Sequence, residues 1–185
     1  MSGRIELITG CMASGKTSQL IHRIERLSLA EKKCVVIKWK GDTRYGEDDY
    51  VMTHDRKKLP CIPCDDEELG KVYERVKDYD VIGIDEGSFF RGIVEFCEML
   101  ANKGHVVIVA SLIGTFQREG FGDILNLIPK CDDVVFLKAV CMSCKKNDAP
   151  FTSRTTEYTE VMHVGGMDDY KPLCRKCFME SKGGQ

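Results

Sequence analysis

The stretch Gly10-Cys11-Met12-Ala13-Ser14-Gly15-Lys16-Thr17 decides the fold of this chain. It has the spacing G-x-x-x-x-G-K-[ST], in which glycines let the backbone curl so that successive N–H groups point inward at phosphate oxygens. An alternating apolar run, residues 5–9, precedes it, and a helical pattern of apolar residues continues from Leu20 to Leu27. A strand before the loop and a helix after it are the context in which this spacing predicts a phosphate-binding loop.

The residue types of this loop suit separate parts of a nucleotide. The N-terminus of the following helix adds a partial positive charge, Lys16 is expected to reach the β- and γ-phosphates, and the Thr17 hydroxyl is expected to ligate Mg²⁺. A chance surface loop of the same composition would lack the flanking strand and helix. The predicted phosphate-binding residues of the loop are Gly10, Ala13, Ser14, Gly15, Lys16 and Thr17.

Length and composition limit the class of protein. A chain of 185 residues suffices for one domain of about 100–200 residues with a small appendage. The formal net charge of -2 argues against a dedicated nucleic-acid-binding protein, which is normally strongly basic. No apolar run approaches the ~20 residues that span a bilayer, and the N-terminus lacks the pattern of a signal peptide. We therefore expect a cytoplasmic protein without a membrane partner.

Apolar runs alternate with helical patterns, which predicts an α/β fold: a P-loop NTPase-type, mostly parallel sheet flanked by helices. Buried parallel strands are expected at residues 4–9, 33–39, 80–85, 105–111 and 133–140, with helices at 18–30, 67–79 and 91–103. The polar segment 42–58 is expected to be a mobile loop. The character of the sequence changes after Val140, so we predict a nucleotide-binding domain at 1–140 and a small zinc-binding subdomain at 141–185.

Two carboxylates end the predicted strand at 80–85. In P-loop proteins a carboxylate at the end of a neighbouring strand holds Mg²⁺, and Asp85 fits that role. Glu86 follows directly and could accept a proton from a substrate hydroxyl or orient a water molecule. Acidic residues also end strands as solvated caps, but the P-loop favours the functional interpretation.

Cysteine pairs predict a metal site near the C-terminus. A C-x₂-C pair at each end of a long loop, with four thiolates in tetrahedral geometry, suits a closed structural Zn²⁺ site; its predicted ligands are Cys141, Cys144, Cys174 and Cys177. Cys61 and Cys64 form a third C-x₂-C pair without the context of a redox or metal motif, so neither role is favoured for them. We expect the remaining cysteines to be packing residues.

In its motifs and their order the chain resembles the type II thymidine kinases, the family of the vertebrate cytosolic, poxviral and many bacterial enzymes. The match covers residues 4 to about 178. The segments that carry it are 10–17, 42–45, 53–56, 84–90 and 114–118, together with the four cysteines around Gly165 and Gly166.

The resemblance implies transfer of the ATP γ-phosphoryl group to the 5′-hydroxyl of thymidine, and of deoxyuridine, in nucleotide salvage for DNA synthesis. It implies that Glu86 is the general base, that Arg44 lies near the transferred phosphate, and that residues 161–170 form a zinc-anchored lasso loop that binds the base and sugar. The substrate-binding residues that it implies are Met12, Asp42, Phe89, Leu112, Phe116, Phe121, Thr152, Val161, His163, Gly165 and Tyr170. It further implies a homotetramer inhibited by thymidine triphosphate.

The sequence departs from the family pattern at three positions. Family members commonly have a bulky residue at the position of Ala13, glutamine at that of Ser88 and an aspartate or asparagine at that of Ile113. Without the resemblance, Met12, Leu112 and Phe116 would be interpreted as ordinary core residues. The alternative function is a P-loop ATPase whose zinc ribbon acts on nucleic acid, and the acidic net charge argues against it.

Overall fold

Six parallel strands form the central sheet of the chain, seen in a computed structural model that describes residues 2–42, 50–52, 58–65, 69–156, 165–166 and 168–182. In spatial order these strands are β5 (Ile62–Cys64), β2 (Cys34–Trp39), β6 (Val81–Asp85), β7 (Val106–Leu112), β1 (Arg4–Gly10) and β8 (Asp133–Leu137). Every neighbouring pair is parallel. The predicted α/β fold with a parallel sheet is confirmed.

Helices cover both faces of this sheet. Helix α1 (Lys16–Leu29) packs its apolar side on one face, where Leu20, Ile21 and Ile24 are buried. Helix α3 (Ile93–Asn102) packs on the other face, and the short helix α4 (Ile124–Leu127) lies beside it in the same apolar cluster. The central strands β6 and β7 each have a single polar side chain, Asp85 and Ser111, near the strand end, as expected where both faces of a parallel sheet are covered.

The helix predicted at 67–79 is shorter and of mixed type. A 3₁₀ turn at Leu69–Val72 leads into a single α-helical turn, α2 (Tyr73–Val76). Gly70 lies in the first of these turns, and glycine costs a helix about 1 kcal/mol relative to alanine. Within the predicted loop 42–58, β3 (Tyr50–Met52) pairs in an antiparallel hairpin with β4 (Lys58–Pro60), so a loop throughout that segment is wrong.

The strand predicted at 133–140 is two strands with different partners. Strand β8 lies at the edge of the large sheet, and the side chains of Val134 and Phe136 are 41% and 45% exposed; the expectation of a buried strand is wrong here. After Lys138 the chain leaves the sheet, and β9 (Ala139–Val140) pairs with β10 (Asp148–Ala149). An apolar run alone does not distinguish an edge strand from a central one.

The C-terminal segment forms a small unit around the cysteine pairs. Strands β11 (Phe151–Arg154) and β12 (Tyr170–Leu173) make an antiparallel hairpin, followed by helix α5 (Arg175–Lys182). Cys11 of the phosphate-loop sequence belongs to the same apolar cluster as Phe178 and the metal-site cysteines. The C-terminal unit therefore packs directly against that loop, and the boundary at Val140 stays a prediction. Among the described residues, no helix is long and apolar enough to cross a membrane.

Candidate active site and metal centre

The loop between β1 and α1 has the backbone shape that its glycines predict. Gly10 has φ +153°, and a Cβ there would lie 2.3 Å from the carbonyl oxygen of Leu137, so only glycine fits without a shift. Gly15 caps helix α1 in the left-handed conformation with φ 86°. Ala13 also has a positive φ, 58°, a conformation that costs a residue with a Cβ roughly 1–2 kcal/mol.

Two side chains close this loop onto its own backbone. The Ser14 hydroxyl and the Lys16 ammonium each donate a hydrogen bond to the carbonyl oxygen of Cys11, both at 2.8 Å. The Lys16 ammonium therefore folds back over the loop that precedes it. This position suits a cation that binds the phosphates of a nucleotide.

Thr17 and Asp85 meet although 67 residues separate them in the chain. The Thr17 hydroxyl lies 3.1 Å from Oδ1 and 3.3 Å from Oδ2 of Asp85. Strand β6 ends at Asp85, and its side chain is nearly inaccessible to solvent. A hydroxyl and a carboxylate at this distance, beside a phosphate-binding loop, are oxygen ligands of the kind that Mg²⁺ prefers.

Glu86 has an unusual backbone conformation for its residue type. Its φ of 56° and ψ of 41° are left-handed, and only 8% of the residue is exposed. Such conformations persist when the surrounding structure holds them, and they cluster at active sites. The turn redirects the chain immediately after the strand that carries Asp85.

Lys38 is a buried cation at this site that the sequence did not indicate. It is the register partner of Asp85 on the adjacent parallel strand β2, and only 3% of it is exposed. Lysine is almost never fully buried unless paired. The signal in the sequence was a lysine inside the apolar run 35–39, one residue before the chain's single tryptophan.

Three aromatic rings form a stack beside the carboxyl ends of the strands. Trp39 lies parallel to Phe89, with centroids 4.1 Å apart and an interplanar angle of 7°. Phe121 meets Phe89 edge-on at 5.0 Å. The structure thus brings together Phe89 and Phe121, both implied by the resemblance, and adds Trp39, which the sequence analysis missed. Asp42 follows Trp39 by three residues and is buried. Its backbone N–H donates to the carbonyl oxygen of Trp39.

The phosphate-loop sequence is tied to the C-terminal unit by two hydrogen bonds. The backbone N–H of Met12 donates to the Thr152 hydroxyl at 3.0 Å, and the Cys11 thiol donates to the carbonyl oxygen of Ala149 at 3.0 Å. Leu112, at the end of β7, is the register partner of Gly10. The predicted residues Met12, Leu112 and Thr152 therefore surround one end of the phosphate loop.

Phe116 and Tyr170 meet through an arginine that the sequence did not indicate. The Arg154 guanidinium lies 4.0 Å from the centroid of the Phe116 ring and 5.1 Å from that of Tyr170. Its Nη2 donates to the Tyr170 hydroxyl at 2.5 Å. Gly165 precedes Gly166 in the chain. The carbonyl oxygen of Gly166 accepts a hydrogen bond from the Tyr170 N–H. Arg44, Val161 and His163 lie outside the described residues.

Four cysteine sulfurs converge at the predicted metal site. The Sγ atoms of Cys141, Cys144, Cys174 and Cys177 all lie within 4.8 Å of one another, and those of Cys144 and Cys174 are 4.0 Å apart. A tetrahedral zinc with Zn–S bonds of about 2.3 Å spaces its sulfurs by roughly 3.8 Å. The four-cysteine cluster is therefore compatible with zinc, in a closed site.

Backbone donors prepare two of these sulfurs for a cation. Burial acts to raise the pKa of Cys141, but N–H groups of Cys174, Cys144 and Ser143 outweigh it and lower the pKa to about 6. The pKa of Cys144 is lowered chiefly by the N–H of Lys146. The pKa of Cys177 is raised to about 11: a hydrogen bond with Ser143 lowers it, and the neighbouring cysteine sulfurs and burial outweigh that effect. A divalent cation would stabilise such a cluster, because it binds thiolates and offsets the repulsion between closely spaced sulfurs.

Cys61 and Cys64 pack with apolar clusters on opposite faces of the sheet. Cys64 ends strand β5 and is buried in the cluster that α3 covers, whereas Cys61 packs against the cluster that α1 covers. The unfavoured redox and metal roles therefore gain no support from the structure.

This parallel sheet and its phosphate-loop sequence define the class of P-loop α/β proteins. A family model described as Thymidine kinase matches residues 3–178. The thymidine kinase of Vaccinia virus (strain Western Reserve) is 50% identical over 179 residues, which cover 97% of this chain and 98% of the relative. Those of Monkeypox virus and Variola virus are 49% and 48% identical with the same coverage. The chain belongs to the thymidine kinase family.

Proposed function

We propose that this protein transfers the γ-phosphoryl group of ATP to the 5′-hydroxyl of thymidine, and of deoxyuridine, in nucleotide salvage for DNA synthesis. One observation supports the chemistry above others: Thr17 of the loop faces Asp85 at 3.1 Å, and Glu86 follows directly in a constrained left-handed turn. Phosphoryl transfer needs positioning and charge neutralisation more than covalent chemistry. Family membership supplies the nucleoside as acceptor.

The loop residues are proposed to bind and orient the phosphates of ATP. Backbone N–H groups of the loop around Ala13, Ser14 and Gly15 face the phosphate oxygens, as they do in P-loops generally. The Lys16 ammonium moves from the carbonyl oxygen of Cys11 to the β- and γ-phosphates, where its charge is paired with theirs. Arg44 is proposed to contact the transferred phosphate from outside the described residues.

Thr17 and Asp85 would hold Mg²⁺ when the nucleotide binds. The ion supplies neutralisation of the charge on the β- and γ-phosphate oxygens. The donor set fits, because one neutral hydroxyl and one carboxylate leave room for the water and phosphate ligands that Mg²⁺ keeps. Lys38, buried as the register partner of Asp85, adds positive charge on the β2 side of this carboxylate.

Glu86 is proposed to be the general base. Its carboxylate accepts the proton of the 5′-hydroxyl as that oxygen attacks the γ-phosphorus, and the γ-phosphorus–oxygen bond to ADP breaks. The left-handed backbone fixes where the side chain starts, which restricts the positions that its carboxylate can reach. A positioned base contributes about 10²–10⁴-fold to a rate.

The aromatic residues are proposed to bind the thymine ring. Phe89, backed by Trp39 and Phe121, offers one wall, and Phe116, held by Arg154, offers another. The pocket around the thymine methyl group is proposed to comprise Met12, Leu112, Thr152 and Tyr170, with Asp42 nearby. The lasso, residues 161–170, is proposed to bind the base and sugar through its backbone groups, with Val161, His163 and Gly165 among them.

The four cysteines would hold a structural zinc that fixes both ends of this C-terminal segment. The hairpin of β11 and β12 is short, so a metal gives it the stability that so small a core does not. From the resemblance we also propose a homotetramer, inhibition by thymidine triphosphate as an end-product mimic, and residence in the cytoplasm.

Nucleoside-dependent release of ADP tests the proposed function. Thymidine, deoxyuridine, deoxycytidine and deoxyadenosine are offered in parallel to the purified chain with Mg²⁺ and ATP, and the products are separated by chromatography. Thymidine monophosphate is expected, and the Lys16→Met variant prepared in the same way controls for a contaminating kinase. Release of ADP that ignores nucleosides but responds to single-stranded DNA would instead support the ATPase alternative.

A further inference from the structure

Two arginines connect the loop that carries Phe116 to the four-cysteine unit, and they point in opposite directions. Arg154 extends from β11 of the cysteine unit and covers the ring of Phe116, at 4.0 Å from its centroid. Arg118 extends from the Phe116 loop and covers Phe178 of the cysteine unit at 5.1 Å and Phe151 at 5.7 Å. Each segment therefore gives a cation to an aromatic ring of the other.

Each arginine also has a partner in an element that carries or adjoins a predicted metal ligand. Phe178 follows Cys177 directly in helix α5 and is fully buried. Arg154 is the register partner of Tyr170 and donates to its hydroxyl, and β12 runs from Tyr170 to Leu173, immediately before Cys174. A shift of the cysteine cluster therefore displaces the partners of both arginines.

The Phe116 loop is held by hydrogen bonds of its own and by contacts with the cysteine unit. A backbone bridge between Gly114 and Gly120 and a hydrogen bond from the Thr115 N–H to the Glu119 carbonyl close the loop at its base. Arg118 has a left-handed φ of 65°. Its N–H donates to the Thr115 carbonyl oxygen at 3.0 Å, so the turn holds the backbone of Arg118, and the contacts with Phe178 and Phe151 fix its side chain.

We infer that Arg118 and Arg154 are positioning residues that couple the four-cysteine metal centre to the placement of Phe116 in the base-binding site. The inference rests on the proposed function, because Phe116 is a proposed wall of the thymine pocket. The cation–π contacts of both arginines are with aromatic rings of the Phe116 loop and of the cysteine unit. Their loss should therefore weaken nucleoside binding and leave the chemical step and the nucleotide site largely unchanged.

Steady-state kinetics of Arg118→Met and Arg154→Met test the coupling. Each variant should raise the KM for thymidine by roughly 2- to 30-fold, the loss that one cation–π contact predicts. The kcat and the KM for ATP should stay within about twofold, with about one zinc per chain. Arg175→Met is the matched control. The Arg175 guanidinium also lies over an aromatic ring, 4.9 Å from the Phe151 centroid, but both residues belong to the cysteine unit. The KM of this variant for thymidine should equal that of the parent.

Lysine variants and zinc removal distinguish a coupling role from a general structural one. Arg118→Lys and Arg154→Lys keep the cation and should recover part of the affinity. Removing zinc should raise the KM for thymidine strongly in the parent, and by a smaller factor in Arg118→Met/Arg154→Met, where the connection is already broken.

Two results would overturn the inference. One is a KM for thymidine equal to that of the parent in both methionine variants. The other is an increase of this KM on zinc removal by the same factor in the parent and in the double variant. If the methionine variants fail to fold, the lysine variants decide: a KM at least about twofold above the parent at full zinc content supports the coupling, and a parent KM overturns it. A parent that does not phosphorylate thymidine would instead overturn the proposed function.

Discussion

The hydroxyl of Thr17, in the first turn of helix α1, lies 3.1 Å from Oδ1 of Asp85, the last residue of strand β6. The two residues come from separate segments that the sheet brings together, because β1 and β6 both flank β7 and end at the same edge. In parallel α/β proteins, ligands bind at the carboxyl edge of the sheet. The contact therefore joins the two halves of the proposed magnesium site.

Asp85→Asn tests this contact directly. The amide oxygen can still accept from Thr17, but the negative charge that would bind Mg²⁺ is lost. We expect kcat to fall by about 10²-fold or more, as when one preorganised electrostatic group is removed, with a higher Mg²⁺ concentration at half-maximal rate. Asp65→Asn is the control, because Asp65 is half-exposed and forms a surface ion pair with Lys40 at 3.5 Å. An unchanged magnesium dependence in Asp85→Asn would contradict the assignment.

Glu86→Gln tests the general base. The variant keeps the size of the side chain and removes its ability to accept a proton, so kcat should fall by about 10²-fold or more. The KM values for ATP and thymidine should change little. Glu98→Gln is the matched control, since Glu98 forms an exposed ion pair with Lys130 and exposed pairs contribute about 0–1 kcal/mol. If Glu86→Gln retains activity within a few-fold of the parent, another group is the base.

Lys16→Met tests the phosphate role of the loop lysine. Methionine keeps much of the side-chain length without the charge, so stabilisation of the transferring phosphoryl group is lost. We expect activity to fall by at least about 10²-fold while the thermal unfolding midpoint stays near that of the parent, because Lys16 belongs to neither apolar core of the sheet. Lys138→Met, which loses an exposed pair with Asp148, should remain fully active.

Much of this site follows from local sequence, because its chemistry lies in contiguous motifs. The phosphate loop, the carboxylates after β6 and the cysteine pairs each carry their own spacing. Strand β5 gave no such signal, since it has three residues and contains Pro63. Its place at the sheet edge suits a proline, which cannot donate a backbone hydrogen bond.

Trp39, Arg118 and Arg154 could not be assigned from the sequence for a different reason. Each acts through contacts between segments distant in the chain, as when Arg154 of β11 covers Phe116 beyond β7. A single arginine or tryptophan in a sequence has no spacing that names its partner. Ser88, where family members commonly have glutamine, has a consequence that only the structure shows. Its hydroxyl is buried and has no hydrogen-bond partner within the part of the chain that the structure describes.

The aromatic stack provides a spectroscopic test of the base site. Trp39 is the chain's single tryptophan and is stacked on Phe89 at 4.1 Å, so thymidine binding should change its emission. Phe89→Leu should raise the KM for thymidine by roughly 5- to 150-fold, since stacking of a base on an aromatic ring contributes about 1–3 kcal/mol. Phe136→Leu, on the exposed face of β8, is the control. If saturating thymidine leaves the Trp39 emission unchanged, the thymine ring does not bind beside Phe89 and Trp39.

The last prediction separates the metal site from the nucleotide site. Cys174 follows β12 directly, so Cys174→Ser or removal of zinc frees one end of the segment proposed to bind the nucleoside. The parallel sheet has its own apolar core on both faces and should persist without the metal. We therefore expect thymidine affinity to collapse while affinity for an ATP analogue stays within a few-fold, as measured by calorimetry and Trp39 emission. Metal analysis should find about one zinc per chain in the parent.

Cys34→Ser is the control for this experiment, because Cys34 lies on β2 at the face that α1 covers and is not among the four clustered sulfurs. It should keep its zinc and its thymidine affinity. If the zinc-free protein instead binds thymidine normally, residues 161–170 do not depend on the metal for their position. The cysteine unit would then be better explained as an interaction module than as the anchor of a substrate loop. Equal loss of both ligands would mean that the sheet itself requires the metal, which its separate core argues against.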